Sequence, residues 1–305
     1  MDRALVIKTT GSSYLVQLAD GTTTECHIKG NFRIRGIRST NPVAVGDYVS
    51  VETQSDGTNW ITEIEDRKNY IIRRSTNLSK ESHILAANLD QVALIVTLHH
   101  PETSTTFIDR FLATCEAYCV PAILIFNKTD LLTVEEQTEL MQLRALYESL
   151  DYPTYAICAK NLDESIKTIF SKKVTLLAGN SGVGKSTFLN AIFGCEKTRT
   201  GHISDAHDKG MHTTTFSEMY ALDEGWLIDT PGIKGFGAVQ MQKEEISHYF
   251  REIFHIGRDC RYGNCLHTGE PGCAVHDAVV DGRIAISRFE SYLSLLGDCD
   301  EAKYR

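Results

Sequence analysis

Gly179-Asn180-Ser181-Gly182-Val183-Gly184-Lys185-Ser186 is the stretch whose reading decides the fold. It matches G-x-x-x-x-G-K-[ST], follows the apolar run Val174–Ala178 and precedes a helical spacing over Ser186–Phe193, the strand–loop–helix setting this pattern requires. Glycines let backbone N–H groups wrap a phosphate, and the helix N-terminus beginning at Ser186 and Thr187 favours the anion. Lys185 adds a point charge for the outer phosphates, and the Ser186 hydroxyl is a magnesium ligand in such loops.

Three further motifs follow apolar strands. Asp229-Thr-Pro-Gly232 comes after Trp226–Ile228; its carboxylate can hold magnesium and the Gly232 N–H can meet a γ-phosphate. Asn127-Lys128-Thr129-Asp130 comes after Ala122–Phe126. The Asp130 carboxylate can accept from the N1–H and 2-amino group of guanine, donors that adenine lacks. Cys158-Ala159-Lys160 comes at the end of the strand Tyr155–Cys158 and offers the Ala159 backbone to the base. Together the four elements resemble the guanine-nucleotide-binding (TRAFAC-type) GTPases. The base-reading motifs precede the phosphate motifs here, which is the reverse of the ordinary order, so the domain reads as circularly permuted.

Around these motifs the chain divides into three expected domains. Residues 1–72 show five short strands (Ala4–Thr9, Ser13–Leu18, Thr22–His27, Tyr48–Thr53, Trp60–Ile64) with turns at Asp20-Gly21 and Asp56-Gly57, the pattern of an OB-fold β-barrel. Residues 73–240 alternate strands with helices over Thr105–Tyr118 and Thr133–Leu150, which predicts an α/β domain with a mainly parallel sheet. Residues 241–305 read as a helix over Lys243–Phe254, a Cys/His cluster and a helical pattern over Val275–Leu296. The stretches near 65–90 and 200–215 are polar and read as linkers, the second as a mobile one.

Composition limits the partners. The 305 residues are 42% hydrophobic and 23% charged, an ordinary globular balance. Apolar runs such as Val92–Val96 are far shorter than the roughly 20 residues of a membrane span, and Met1–Leu5 does not resemble an export signal. The expectation is a cytoplasmic protein with no membrane partner. A net charge of −9 excludes a uniformly basic nucleic-acid binder but not a local patch. Lys29, Phe32, Arg33, Arg35 and Arg38 form such a patch in a barrel loop, with arginines for phosphates and a ring to stack on a base. Six of the nine cysteines are scattered, which argues against a disulfide framework. The other three, Cys260, Cys265 and Cys273, join His267 in a set of four soft ligands that fits one structural zinc ion.

Between the phosphate loop and Asp229, Gly210-Met-His-Thr-Thr-Thr215 fits the segment that closes on the γ-phosphate. Thr214 is the favoured magnesium ligand among its three threonines, and His212 is a candidate for orienting water. Ile233 follows Asp-x-x-Gly, and an isoleucine cannot orient water, so hydrolysis is expected to need help.

The whole arrangement resembles the ribosome-small-subunit-dependent GTPase A (RsgA, YjeQ) family. The likeness is carried by Asn41-Pro-Val-Ala-Val-Gly-Asp47, Ile72-Arg-Arg-Ser75, the permuted motif order, Asp229–Gly237 and the Cys/Cys/His/Cys cluster. It implies a bacterial cytoplasmic GTPase that binds the immature small ribosomal subunit and its rRNA late in assembly, and hydrolyses GTP, with magnesium, when the subunit stimulates it; nothing in the sequence suggests an obligate dimer, so a monomer is expected. The GDP form then leaves. The chain departs from some relatives at Gln240, where they carry a histidine. Two other readings stand beside this one: a metabolic P-loop kinase, and an RNA-binding adaptor whose nucleotide is structural.

Overall fold

The computed structural model describes residues 2–10, 13–28, 42–74, 82–195, 217–229 and 241–301. Five strands open the chain: β1 (Asp2–Thr9), β2 (Tyr14–Leu18), β3 (Thr23–Ile28), β4 (Tyr48–Thr53) and β5 (Asn59–Ile64). They pair in the order β1-β2-β3-β5-β4, with β4 returning to β1 and only β3–β5 parallel, so the sheet closes into the expected barrel. Alternation does the sorting: Ala4 and Val6 point into a core with Tyr14, Val16, Cys26, Val49, Val51 and Ile61. The two hairpin turns form where Asp-Gly predicted them. Asp20 and Asp56 each accept the N–H two residues on, at 2.9 Å, and Gly21 and Gly57 take φ of +84° and +86°.

The polar stretch near 65–90 is not simply a linker. It contains an antiparallel hairpin, β6 (Tyr70–Arg74) with β7 (Ser82–Ala87). Its mean polarity hides the strand residues Ile71, Ile72, Leu85 and Ala86, all of which are buried. Asn69 pins its base by exchanging hydrogen bonds with the Leu89 backbone at 2.8 and 2.9 Å.

The central sheet uses β8 (Gln91–Val96), β9 (Ala122–Phe126), β10 (Thr154–Ala156), β11 (Val174–Ala178), β12 (Glu218–Leu222) and β13 (Gly225–Asp229). Their order is β10-β9-β8-β11-β13-β12, and all are parallel except β12. Helices α1 (Thr105–Ala117) and α2 (Val134–Ser149) cover one face through Phe111, Leu112, Leu140 and Tyr147. On the other face lie α3 (Lys185–Phe193) and a 3-10 segment, Glu164–Phe170, with Phe170, Phe188 and Ile192. Thr133 and Glu136 form the expected capping box of α2.

Two helical expectations in the last region are corrected. Lys243–Phe254 is a 3-10 turn, Lys243–Tyr249, followed by α4 (Arg251–Gly257). The break is at Phe250, whose extended backbone puts a fully buried ring edge-on to Tyr292 and beneath the Arg288 guanidinium, so tertiary burial overrides helical spacing. Val275–Leu296 is two helices, α5 (Ala274–Val280) and α6 (Ile286–Glu301), separated at Gly282, which takes a φ of +73°.

Both flanking regions are seated on the central domain. Outward-pointing Leu5 and Ile7 of β1 pack on the central core, and β1 pairs with β12 at Lys8–Glu218. Gly46 abuts the Ala87 carbonyl so closely that a Cβ would lie 2.2 Å from it, and Arg67 grips the buried Asp47 at 2.6 and 2.7 Å. On the other side α6 lies along α1. Buried Arg288 reaches Asp109 of α1 at 2.8 Å and Glu252 of α4 at 2.7 Å, and the Tyr147 hydroxyl donates to the same Asp109.

Candidate nucleotide and metal sites

Strands β9, β10, β11 and β13 all deliver a motif at their C-terminal ends, where α/β sheets bind ligands. Circular permutation changes the order in the chain, not this edge. The base motifs leave β9 and β10, and the phosphate motifs leave β11 and β13 beyond the intervening β8.

The phosphate loop is shaped by contacts only glycine permits. Gly179 has a φ of +147°, and a Cβ there would lie 2.3 Å from the Ile95 carbonyl; Gly184, at +93°, would place one 2.4 Å from the Asn127 amide. Val183 is buried, Asn180 is half-buried, and Ser181 and Gly182 are exposed. Helix α3 starts at Lys185, which carries Ser186 and Thr187 in its first turn. The Lys185 ammonium folds back onto the Gly179 and Asn180 carbonyls at 2.8 and 3.3 Å. Burial presses its pKa below the ordinary lysine value, and Asp229 opposes that shift. Asp229 is buried at the end of β13, beside Leu177 of β11.

Asn127 is the hub of the site. Its buried amide donates to the Val183 carbonyl at 2.9 Å and accepts from the Ala159 N–H at 3.0 Å, tying both base motifs to the phosphate loop. Lys128 takes a left-handed φ of +63° and sends its ammonium to the carbonyls of His100 and, at 2.7 Å, Gly182. Thr129 donates its N–H to Ile157 at 3.2 Å, while Asp130 is exposed. Cys158 is half-buried, Ala159 buried and Lys160 exposed. The His99–Pro101 loop after β8, which braces Lys128 and touches Gly182, was not singled out from sequence; it has no motif, only position.

At the other end of the molecule the ligand atoms of Cys260, Cys265, His267 and Cys273 lie within 4.8 Å of one another. The His267 Nδ1 is 3.6 Å from Cys260 Sγ and 3.4 Å from Cys273 Sγ, and the two sulfurs are 4.0 Å apart. Burial lowers the His267 pKa, favouring the neutral imidazole that ligates metal; burial and neighbouring thiols push Cys265 up to about 12. Such mutual crowding of soft donors is relieved by a cation, so the four residues are a cluster fit to hold a metal ion. Glu270, not anticipated from sequence, gathers the loop around its carboxylate by accepting the N–H groups of Leu266, Thr268 and Gly269 at 2.7, 2.7 and 3.1 Å. Gly257 leaves room for the His267 ring, 3.3 Å from where a Cβ would be.

Several sequence calls lie outside the described residues: Lys29, Phe32, Arg33, Arg35 and Arg38, then His212 and Thr214, and then Gly232, Ile233 and Gln240. No helix among the described residues is long and apolar enough to cross a membrane.

A guanine-reading motif pinned to a phosphate loop, in this strand order and beside a closed barrel, defines a circularly permuted GTPase. Comparison with known proteins agrees. Residues 4–61 match the RsgA N-terminal domain and residues 64–239 match the RsgA GTPase. The small ribosomal subunit biogenesis GTPase RsgA of Phocaeicola vulgatus is 60% identical over 306 residues, covering 99% of each chain. The protein of that name from Porphyromonas gingivalis is 54% identical, covering 99% of this chain and 98% of its own. The crystal structure of YjeQ from Thermotoga maritima superimposes with a TM-score of 0.77 at 32% identity over 98% of both chains. YloQ, described as a circularly permuted GTPase, gives 0.76 at 29% identity over 100% of this chain and 97% of its own. The chain belongs to the RsgA GTPase family; it is a GTP hydrolase, and the kinase reading falls.

Proposed function

We propose that this GTPase acts in the biogenesis of the small ribosomal subunit, binding the subunit and its rRNA with GTP and leaving after hydrolysis to GDP. The observation that carries the reading is the Asn127 bridge, whose two hydrogen bonds tie the expected base motifs to the phosphate loop in a chain so similar to RsgA proteins. In this reading Asp130 selects guanine, with Lys128, Thr129, Cys158, Ala159 and Lys160 around the base. The N–H groups of residues 179–187 wrap the phosphates. Lys185 exchanges its two carbonyl partners for phosphate oxygens. Ser186 and Asp229, with Thr214, hold the magnesium that neutralises the phosphates, and Gly232 contacts the γ-phosphate. Both described oxygen donors are at the correct sheet edge for a hard cation, Ser186 in the first turn of α3 and Asp229 at the end of β13. Ile233 cannot orient water, so hydrolysis waits for the subunit, with His212 as the residue that then aligns the attacking water.

The three domains divide this work in the proposal. Residues 1–72 contact rRNA through Lys29, Phe32, Arg33, Arg35 and Arg38; residues 73–240 hydrolyse GTP; residues 241–305 carry one zinc ion. Zinc bond lengths of about 2.3 Å to sulfur and about 2.0–2.1 Å to nitrogen place tetrahedral ligands roughly 3.5–3.8 Å apart. The separations among Cys260, His267 and Cys273, 3.4–4.0 Å, support that ion, with all four ligand atoms within 4.8 Å of one another. The protein works as a cytoplasmic monomer. Co-sedimentation with purified small subunits tests the cycle: binding with a non-hydrolysable GTP analogue should exceed binding with GDP, and equal binding in both states would refute it.

A further inference from the structure

The loop between β8 and α1 is tied to three parts of the nucleotide site. Thr97, just after β8, closes it: its hydroxyl donates to the Pro101 carbonyl, and its carbonyl accepts the Thr103 N–H at 3.0 Å. Residues 98–102 are thereby held as one unit. The His100 carbonyl accepts the Lys128 ammonium, which also donates to the Gly182 carbonyl at 2.7 Å. Pro101 lies against Gly182, where a Cβ would be 3.4 Å from its ring. The third tie is His99, whose Nε2 is 3.5 Å from Glu136 Oε1 and 3.9 Å from Glu139 Oε2, both on α2.

Glu136 works in two directions. Its other oxygen accepts the Thr133 N–H at 2.8 Å in the capping box that starts α2. A single 3-10 turn, Thr129–Leu131, separates that cap from Lys128, and the Leu131 N–H donates back to the Lys128 carbonyl at 3.1 Å. A closed ring therefore runs through His99, Glu136, Thr133, the turn that carries Asp130, Lys128 and the His100 carbonyl. The Thr133 N–H above all, and His99 next, favour the charged form of Glu136 and hold its carboxyl below the ordinary value. Besides the two carboxylates of α2, the His99 imidazole faces the His100 ring, at 6.4 Å between centroids, with the Lys128 ammonium one residue along on the His100 carbonyl. A neutral imidazole gains little from carboxylates at this range, whereas an imidazolium pairs with both.

We propose that His99 is a positioning residue for guanine-nucleotide binding: as an imidazolium it fastens the β8–α1 loop to α2 and closes the ring that sets Lys128 and Asp130 against the phosphate loop. Nucleotide affinity then carries a proton switch. Protonated His99 tightens binding and neutral His99 relaxes it, and by linkage bound nucleotide favours that proton by the same factor. The inference rests on the reading of Asn127–Asp130 as the base motif.

Fluorescent GDP is titrated into the full chain at fixed magnesium, at about pH 5.5 and about pH 8, on either side of ordinary histidine titration. Each variant is compared with the parent at the same pH, so that ionisation of the nucleotide itself cancels. His99 is 33% exposed, and Glu136→Gln keeps a side chain able to close the capping box, so the variants keep their fold, which melting curves check. His99→Gln should weaken binding about threefold at the lower pH and hardly at the higher, the scale of a half-exposed ion pair. Glu136→Gln/Glu139→Gln should do the same, and adding His99→Gln to that pair should cost nothing more. A merely structural role predicts an equal loss at both pH values, and that result overturns the proposal. So do parent-like binding by His99→Gln at the lower pH and additive losses in the combined variant. If the parent binds ADP as tightly as GDP, the base-motif reading itself fails and the inference falls with it.

Discussion

Replacing Asn127 with alanine removes the buried side chain that ties the base motifs to the phosphate loop, leaving the Lys128 contact to Gly182 as the other link. Two hydrogen bonds are lost, to Val183 O at 2.9 Å and from Ala159 N at 3.0 Å, and Val183 and Ala159 are both buried. A buried group left without its partner costs about 1–3 kcal/mol, so the pair sums to roughly 2–4 kcal/mol after allowance for local relaxation. Where that energy goes is the informative part. Asn127 is at the end of β9 with the core strands behind it, so the cost should appear as loosening of the base loop against the phosphate loop rather than as global unfolding. At 1.36 kcal/mol per factor of ten, GDP affinity should fall by about 30- to 900-fold while the melting temperature changes little. Titration calorimetry with GDP, paired with a thermal melt, measures both. Gly184→Ala is an independent route to the same damage, because its Cβ would displace the Asn127 amide from 2.4 Å. Unchanged GDP affinity in Asn127→Ala would refute the view that this bridge assembles the site.

Other expectations follow from the same structure. Arg288→Met strands the buried carboxylates of Asp109 and Glu252 and should cost about 3–5 kcal/mol in denaturant unfolding, whereas a loss below about 1 kcal/mol would show the clamp to be incidental. Lys185 must be charged to bind phosphate, and burial lowers its pKa; GDP affinity should therefore fall as pH rises through that lowered value, before an ordinary lysine titrates, and Lys185→Met should show no such limb. In the ligand-free protein the unfolded chain holds that proton longer, so this group makes stability rise with pH over the same window, a slope that should be absent from the Lys185→Met melt series. Chelation or Cys265→Ser should release one zinc ion per chain and strip hydrogen-exchange protection from Leu266–Gly269; full protection without metal would contradict a structural ion.

Much of this architecture is legible in the sequence because local chemistry and tertiary need coincide. The glycines of 179–184, the Asp-Gly turns and the Thr133/Glu136 box are each demanded by backbone geometry, and they appear where the chain needs them. Three cysteines and a histidine within fourteen residues announce a cluster, and the fold brings their ligand atoms within 4.8 Å of one another. What was hidden is long-range. Phe250 breaks a helix because Tyr292 and Arg288 bury it from more than thirty residues away. The β6–β7 hairpin is too polar on average to announce itself, since only its inward residues carry the signal. Asn127 reads as one letter of a base motif, and only the fold shows that it also holds the phosphate loop. The pairing of Lys8 with Glu218 joins the barrel to the central sheet across some two hundred residues, and no spacing in the chain announces it.

The most direct measurement is GTP turnover by the purified protein alone, with small ribosomal subunits, and with large subunits as control. The account predicts slow turnover alone, strong stimulation by small subunits only, and none in Lys185→Ala. Equal stimulation by both subunits, or none by either, would contradict it.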